Sequence, residues 1–179
     1  MAQSTVENET ICTDNTLASP AQTLDVLGRA LLRATNGGKT DLELPLSTVL
    51  GPVDLPPMLE TPVTLTFDAL LAMCRELASH IDASGHLPTS VMADHVAVGP
   101  GPLLRALAVA FLEWDRDRAP TSVTLQPGAE EPAAAERLAE WGVYLQIPLW
   151  ESHPPDLRLD QLALHTRLQS WSLKPAVLE

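Results

Sequence analysis

Laid over itself at an offset of 43 residues, the chain aligns Thr23-Leu24-Asp25-x-Leu27 with Thr66-Phe67-Asp68-x-Leu70, and Leu44-Pro45-x-Ser47 with Leu87-Pro88-x-Ser90. Each copy then runs through a short β-prone stretch into Gly-Pro, at Gly51-Pro52 and at Gly99-Pro100. Two anchors in one register with a shared ending read as a duplication, and this constrains the fold. A unit so short cannot enclose its own apolar face, so two copies are expected to pack against each other. The second copy carries five extra residues, which suit a small loop or hairpin around Ala93-Asp94.

Each copy reads as helix, turn and short extended segment. Thr23 and Thr66 suit N-caps, because a threonine hydroxyl accepts from the free amides of a first turn; Asp25 and Asp68 then meet the positive end of the helix. Phe67, Leu70, Leu71, Cys74, Leu77, Ala78 and Ile81 recur at spacings of three and four, a stripe that must be buried. Leu24, Leu27, Leu31 and Leu32 repeat the pattern in the first copy. Asn36-Gly37-Gly38 and Gly85 end the two helices, and the Leu-Pro that follows each forbids continuation.

The second half continues with a largely buried helix from Gly101 to about Asp115, a strand at Thr121 to Gln126 and a helix from Glu131 to Trp141 with Pro132 in its first turn. Val143, Leu145 and Ile147 alternate as a further strand, so strand, helix and strand could form a parallel crossover unit. A last helix runs from about Leu159 to Leu173 and stops at Pro175. The fold class expected is α+β, helix-dominant: two duplicated helix-turn-short-strand units, about 22–52 and 65–100, packed with a C-terminal α/β lobe at about 101–179. Together they make one compact domain over 20–179, preceded by an acidic disordered tail at 1–19 that carries Glu7, Glu9 and Asp14 without Lys or Arg.

Charge excludes some functions. With 11 Lys+Arg against 23 Asp+Glu the net charge is −12, which leaves no basic footprint for phosphate backbones or anionic lipid. Nucleic-acid binding is therefore not expected. The longest apolar run, Leu103 to Leu112, is interrupted by Arg105 and falls well short of the roughly 20 residues that cross a bilayer, so no direct membrane insertion is expected. The N-terminus lacks the basic start and apolar stretch of a secretory signal, which makes the cytoplasm the default location. Cys12 and Cys74 read as two free thiols.

Motifs that carry chemistry are not found. The histidines His80, His86, His95, His153 and His165 form no ligand pair on one helix face with a carboxylate, and there is no Gly-x-Ser-x-Gly elbow or phosphate loop. Glu130, Glu131, Glu136 and Glu140 lie around a polar helix face and read as solvated surface. No catalytic residue, metal or cofactor is expected. The aromatic residues are few, and Trp141, Tyr144, Trp150 and Trp171 all fall beyond residue 140. Clustered aromatics can form a stacking platform, although Trp141 and Trp171, each at a helix end, could equally plug the core. Trp150 and His153 precede the Pro154-Pro155 turn in an expected loop, and Lys174 follows Trp171 closely. Trp150, His153, Trp171 and Lys174 are the candidate ligand- or partner-binding residues; the plainer role for Lys174 is to satisfy helix C-terminal carbonyls.

The second unit, Leu70 through Ala108, resembles a pseudomurein-binding repeat: an apolar helix, then Gly85-x-Leu87-Pro88-x-x-Val91, a short extended segment, Gly99-Pro100 and a helix with Leu103-Leu104. The first unit, Leu24 to Pro52, is similar without the glycine two before its Leu-Pro. The resemblance covers less than half the chain. It implies a noncatalytic wall-binding module and an envelope association. The function expected is thus a noncatalytic binding or scaffolding protein that recognises a cell-wall polymer or a protein partner. The alternative is an accessory subunit of a larger assembly, and an enzyme of unidentified class is third.

Overall fold

Ser19-Pro20-Ala21-Gln22 starts the first helix. The Ser19 hydroxyl accepts from the Gln22 amide at 3.2 Å while the Gln22 side-chain oxygen accepts from the Ser19 amide at 3.1 Å, a reciprocal box with proline in the first helical position. Helix α1 therefore spans Pro20–Thr35, and Thr23 lies inside it with its hydroxyl donating to the Ser19 carbonyl. Thr23 is not the cap that its match to Thr66 suggested, because the box upstream satisfies the orphan amides first. The computed structural model describes residues 12–13, 16–35, 44–115, 120–128, 131–132, 135 and 159–174.

Helix α2, Phe67–Ser84, begins where the sequence places it: Thr66 is extended and accepts from the Ala69 amide at 3.2 Å. It ends at Gly85, whose φ of 73° is left-handed and whose N–H bonds the Ile81 carbonyl. Helix α3, Pro100–Asp115, opens on proline and is buried along Leu103, Leu104, Leu107 and Ala110. Helix α4, Leu159–Gln169, runs into a single 3-10 turn at Ser170–Ser172.

The core forms around α1, which lies between α2 and α3. Gly28 marks the crossing. A Cβ built there would sit 3.4 Å from Leu77, 3.9 Å from Leu107 and 4.0 Å from Cys74, ordinary packing distances to side chains of both neighbouring helices, so three helices meet at this point. Leu24, Leu31, Leu70, Met73, Leu77, Leu103, Leu107 and Trp171 fill the space between them, each almost wholly buried. Truncating one such leucine to alanine costs roughly 2–5 kcal/mol.

Among the described residues six short strands form three two-stranded antiparallel pairs. The pair β1 (Cys12–Thr13) with β2 (Thr16–Leu17) falls within the expected N-terminal tail, and Ala18 and Ser19 after it are buried. Strand β3, Val63–Thr66, pairs with β6, Ser122–Leu125, placing Leu65 opposite Val123 and Val63 opposite Leu125 on the core side. Thr64 and Thr124 meet on the outer side with hydroxyls 3.1 Å apart. The expected strand at 121–126 thus exists, but its partner is an antiparallel strand in front of α2. The proposed parallel neighbour around Val143–Ile147 lies outside the described residues, as does most of the helix expected at 131–141. The hairpin of β4 (Val91–Ala93) and β5 (Val96–Val98) occupies the five-residue insertion and turns at Asp94, with φ of 52°.

Among the described residues the architecture is α+β with helix dominant. The segments after α1 and α2 differ. Leu87 leads into a hairpin, whereas residues 44–49 form no strand, and Leu50 after them meets the second segment through one parallel bridge to His86. Gly99-Pro100 opens a helix; Gly51-Pro52 is followed by Val53-Asp54-Leu55-Pro56-Pro57, whose prolines prevent one.

Candidate functional site

The segment from Leu50 to Met58, which becomes a free loop after Gly51, departs furthest from what burial alone favours. Within nine residues Leu50, Val53, Leu55 and Met58 are 43%, 62%, 47% and 76% exposed. Full burial of such a side chain from water contributes roughly 1.5–3 kcal/mol, and these four, about half to three-quarters exposed, would still gain about half to three-quarters of that each.

The base of this loop is held rigidly. Asp25, 2% exposed, accepts from Arg29 Nε at 2.6 Å and from the Ser47 hydroxyl at 2.7 Å, while Gln22 Nε2 donates to the Ser47 carbonyl at 2.8 Å. Arg29 also donates to Asp82 on α2 at 2.6 Å, so one guanidinium ties two helices together. Its pKa is raised further above the ordinary range, first by the Asp82 hydrogen bond and then by Asp25, against a contrary pull from burial. Asp25 is therefore a buried tie and not the helix-end carboxylate expected from the sequence, since α1 begins a full turn earlier. Downstream, the Leu50 amide donates to the Gly85 carbonyl at 3.0 Å and the Leu87 amide to the Leu50 carbonyl at 2.9 Å.

Gly51 is the last fixed point before the loop. Its amide donates to Ser172 Oγ at 2.9 Å, and its carbonyl accepts from His86 Nδ1 at 3.0 Å. Because a carbonyl only accepts, His86 carries its proton on Nδ1. A Cβ at Gly51 would overlap the Leu168 carbonyl oxygen and lie 2.9 Å from Trp171 Cβ; only glycine lets the chain run this close to α4.

Beside the loop lies an open cleft of about 370 Å³, with Leu50, Pro52 and Val53 on one side and His165, Leu168 and Gln169 from α4 on the other. His86 and Ser172 complete it. Among the described residues that line it, no carboxylate is present to orient an imidazole. Among the described residues no group of three or more His, Cys, Asp or Glu could hold a metal ion. The arrangement suits binding of an apolar surface.

The sequence-derived candidates are dispersed. Trp171 is 1% exposed and sits in the core behind Gly51, which corrects the platform reading: an indole this deep cannot stack on a ligand. Lys174 is exposed two residues past the 3-10 turn. Trp150 and His153 lie outside the described residues. Cys74 is a free, buried thiol, and burial pushes its pKa up to about 12, so it carries no nucleophile. The residues that the sequence did not single out are Leu50, Val53, Leu55 and Met58. The available signal was four large apolar residues among three prolines, without the spacing of a helix or strand.

No helix among the described residues is long and apolar enough to cross a membrane. No protein-family model, curated protein or solved structure matches the chain.

Proposed function

We propose that this chain is a noncatalytic binding subunit that docks another protein through the apolar loop Leu50–Met58 and the cleft beside it. The observation that carries the reading is the clustered exposure of Leu50, Val53, Leu55 and Met58 on a segment whose base is fixed. Single exposed apolar residues need no explanation, but a contiguous patch on a soluble domain marks an interaction surface. The partner's chemistry follows from charge. At −12, two copies of the chain repel each other, so the complementary surface is apolar at its centre with a basic rim.

The resemblance to pseudomurein-binding repeats supports a second ligand class, a cell-wall polymer. Sugars are held by exposed aromatic rings, whereas the aromatic residues among those described, Phe67, Phe111, Trp114 and Trp171, are half-buried or buried, and the exposed side chains of the loop are aliphatic. Protein docking therefore comes first.

The test is site-specific photocrosslinking of the full chain in its own cells, with a photoreactive residue at Val53 and, as a control, at exposed Ala72 on α2. One defined protein captured from position 53 and not from 72, in a fraction free of wall material, supports docking. Capture of wall polymer refutes it in favour of the second ligand, and equal capture from both positions refutes any role for the loop.

A further inference from the structure

The loop's own geometry names the kind of surface that receives it, an inference that rests on the docking reading above. Pro56 and Pro57 fix φ near −65°, and Leu55 and Pro56, each preceding a proline, are driven toward extended geometry. From Leu55 to Leu59, though not upstream at Pro52 and Val53, exposure repeats every three residues. Leu55 and Met58 point outward, whereas Leu59, three residues after Pro56, is 4% exposed. Pro56 packs inward against the hairpin's end, where a Cβ on Gly99 would lie 2.9 Å from Pro56 Cβ and 3.3 Å from the Pro57 carbonyl oxygen. Three residues per turn without helix or strand hydrogen bonds is the geometry of polyproline II. Its inward edge is Pro56 and Leu59; its outward edge is Leu55 and Met58.

A segment already held in this form has little conformational entropy left to lose on binding, and polyproline II segments are received by grooves lined with aromatic side chains. Asp54 and Glu60, both exposed, bracket the outward edge with negative charge. We infer that Leu55–Met58 is a preformed polyproline II ligand that enters an aromatic-lined groove rimmed by Lys and Arg on the partner protein. A helix laid across the loop and a second copy of this chain are the competing occupants.

The experiment places photo-methionine at Met58 of the full chain in its own cells, sequences the crosslinked peptide and then measures affinity for the purified partner by calorimetry. The inference expects a crosslinked surface bearing Trp, Tyr or Phe. Leu55→Ala with Met58→Ala should weaken binding about 30-fold or more, Pro56→Ala with Pro57→Ala about 5- to 10-fold by restoring chain freedom, and Met92→Ala on the hairpin less than about twofold. Alanine at the partner's crosslinked aromatic residue should reproduce the loss without touching this chain, which keeps the test decisive should the double proline variant unfold. A crosslink to an aliphatic helix or to a second copy overturns the inference while leaving docking intact, as does a folded double proline variant that binds within about twofold of the parent. No protein crosslink from either Met58 or Val53 overturns the docking reading itself.

Discussion

Replacing Asp25 by alanine should loosen the whole approach to the docking loop, because this carboxylate is where α1 and the segment around Ser47 are joined. Its hydrogen bond from the Ser47 hydroxyl, 2.7 Å to an ionised group at 2% exposure, contributes about 1.5–3 kcal/mol. The pair with Arg29 contributes less than its 2.6 Å length suggests, about 0.5–1 kcal/mol, because the arginine side chain is 32% exposed and keeps Asp82 as a second partner. Freed Ser47 can turn to water, which returns part of the loss, so the sum comes to about 2–3 kcal/mol. At this chain length that lowers Tm by roughly 5–10 °C. Asp25→Asn preserves the shape and should cost about 1–2 kcal/mol. Urea unfolding followed by circular dichroism, with Ser47→Ala and the double variant completing a cycle, measures these terms. The expected coupling is at least about 0.5 kcal/mol with an unchanged denaturant slope. A cost below about 1 kcal/mol for Asp25→Ala, or strict additivity with Ser47→Ala, would show that the tie is not what fixes this segment.

Gly51→Ala should destabilise the chain by about 1–3 kcal/mol, read by thermal unfolding, since a Cβ there overlaps the Leu168 carbonyl and α4 must shift; unchanged stability would contradict the packing described. Cys74 supplies a pH dependence. Its thiol keeps its proton to about 12 in the fold but releases it near 9 in the unfolded chain, so between those values the unfolded state binds fewer protons and stability falls with rising pH. The contribution is fully present below pH 9 and is lost by up to about 1.4 kcal/mol per pH unit above it. Cys74→Ala should remove that share of the slope in denaturant titrations between pH 9 and 11, and an identical slope in both proteins would refute it.

What the sequence disclosed and what it concealed divide along the range of the interactions. Thr66 and Gly85 were legible because caps are made within a turn of the residues that need them. The α1 cap was equally local, yet the repeat drew attention to Thr23 and away from Ser19-Pro20-Ala21-Gln22 four residues upstream. Pairing of β3 with β6 was not legible: Val63–Thr66 is four residues long, runs directly into α2 and finds its partner only after α3. The candidate site was hidden for the same reason. Whether Trp171 or Met58 meets solvent depends on where α4 docks on Gly51 and where Pro56 meets Gly99, and neither close approach leaves a periodic trace in the residues concerned. The composition pointed toward the aromatic residue, while the structure buries it and exposes the aliphatic ones.

The docking reading is tested most directly by the mass at which the chain travels when gently extracted from its own cells at native abundance, compared with a Val53→Asp, Met58→Asp variant. Both positions are exposed, so the charges leave the 19.3 kDa fold intact, and unchanged circular dichroism checks this. The account predicts that the parent elutes in a defined complex with a second protein while the variant elutes alone as a folded monomer. Elution of both as lone monomers, or retention of the complex by the variant, would contradict it.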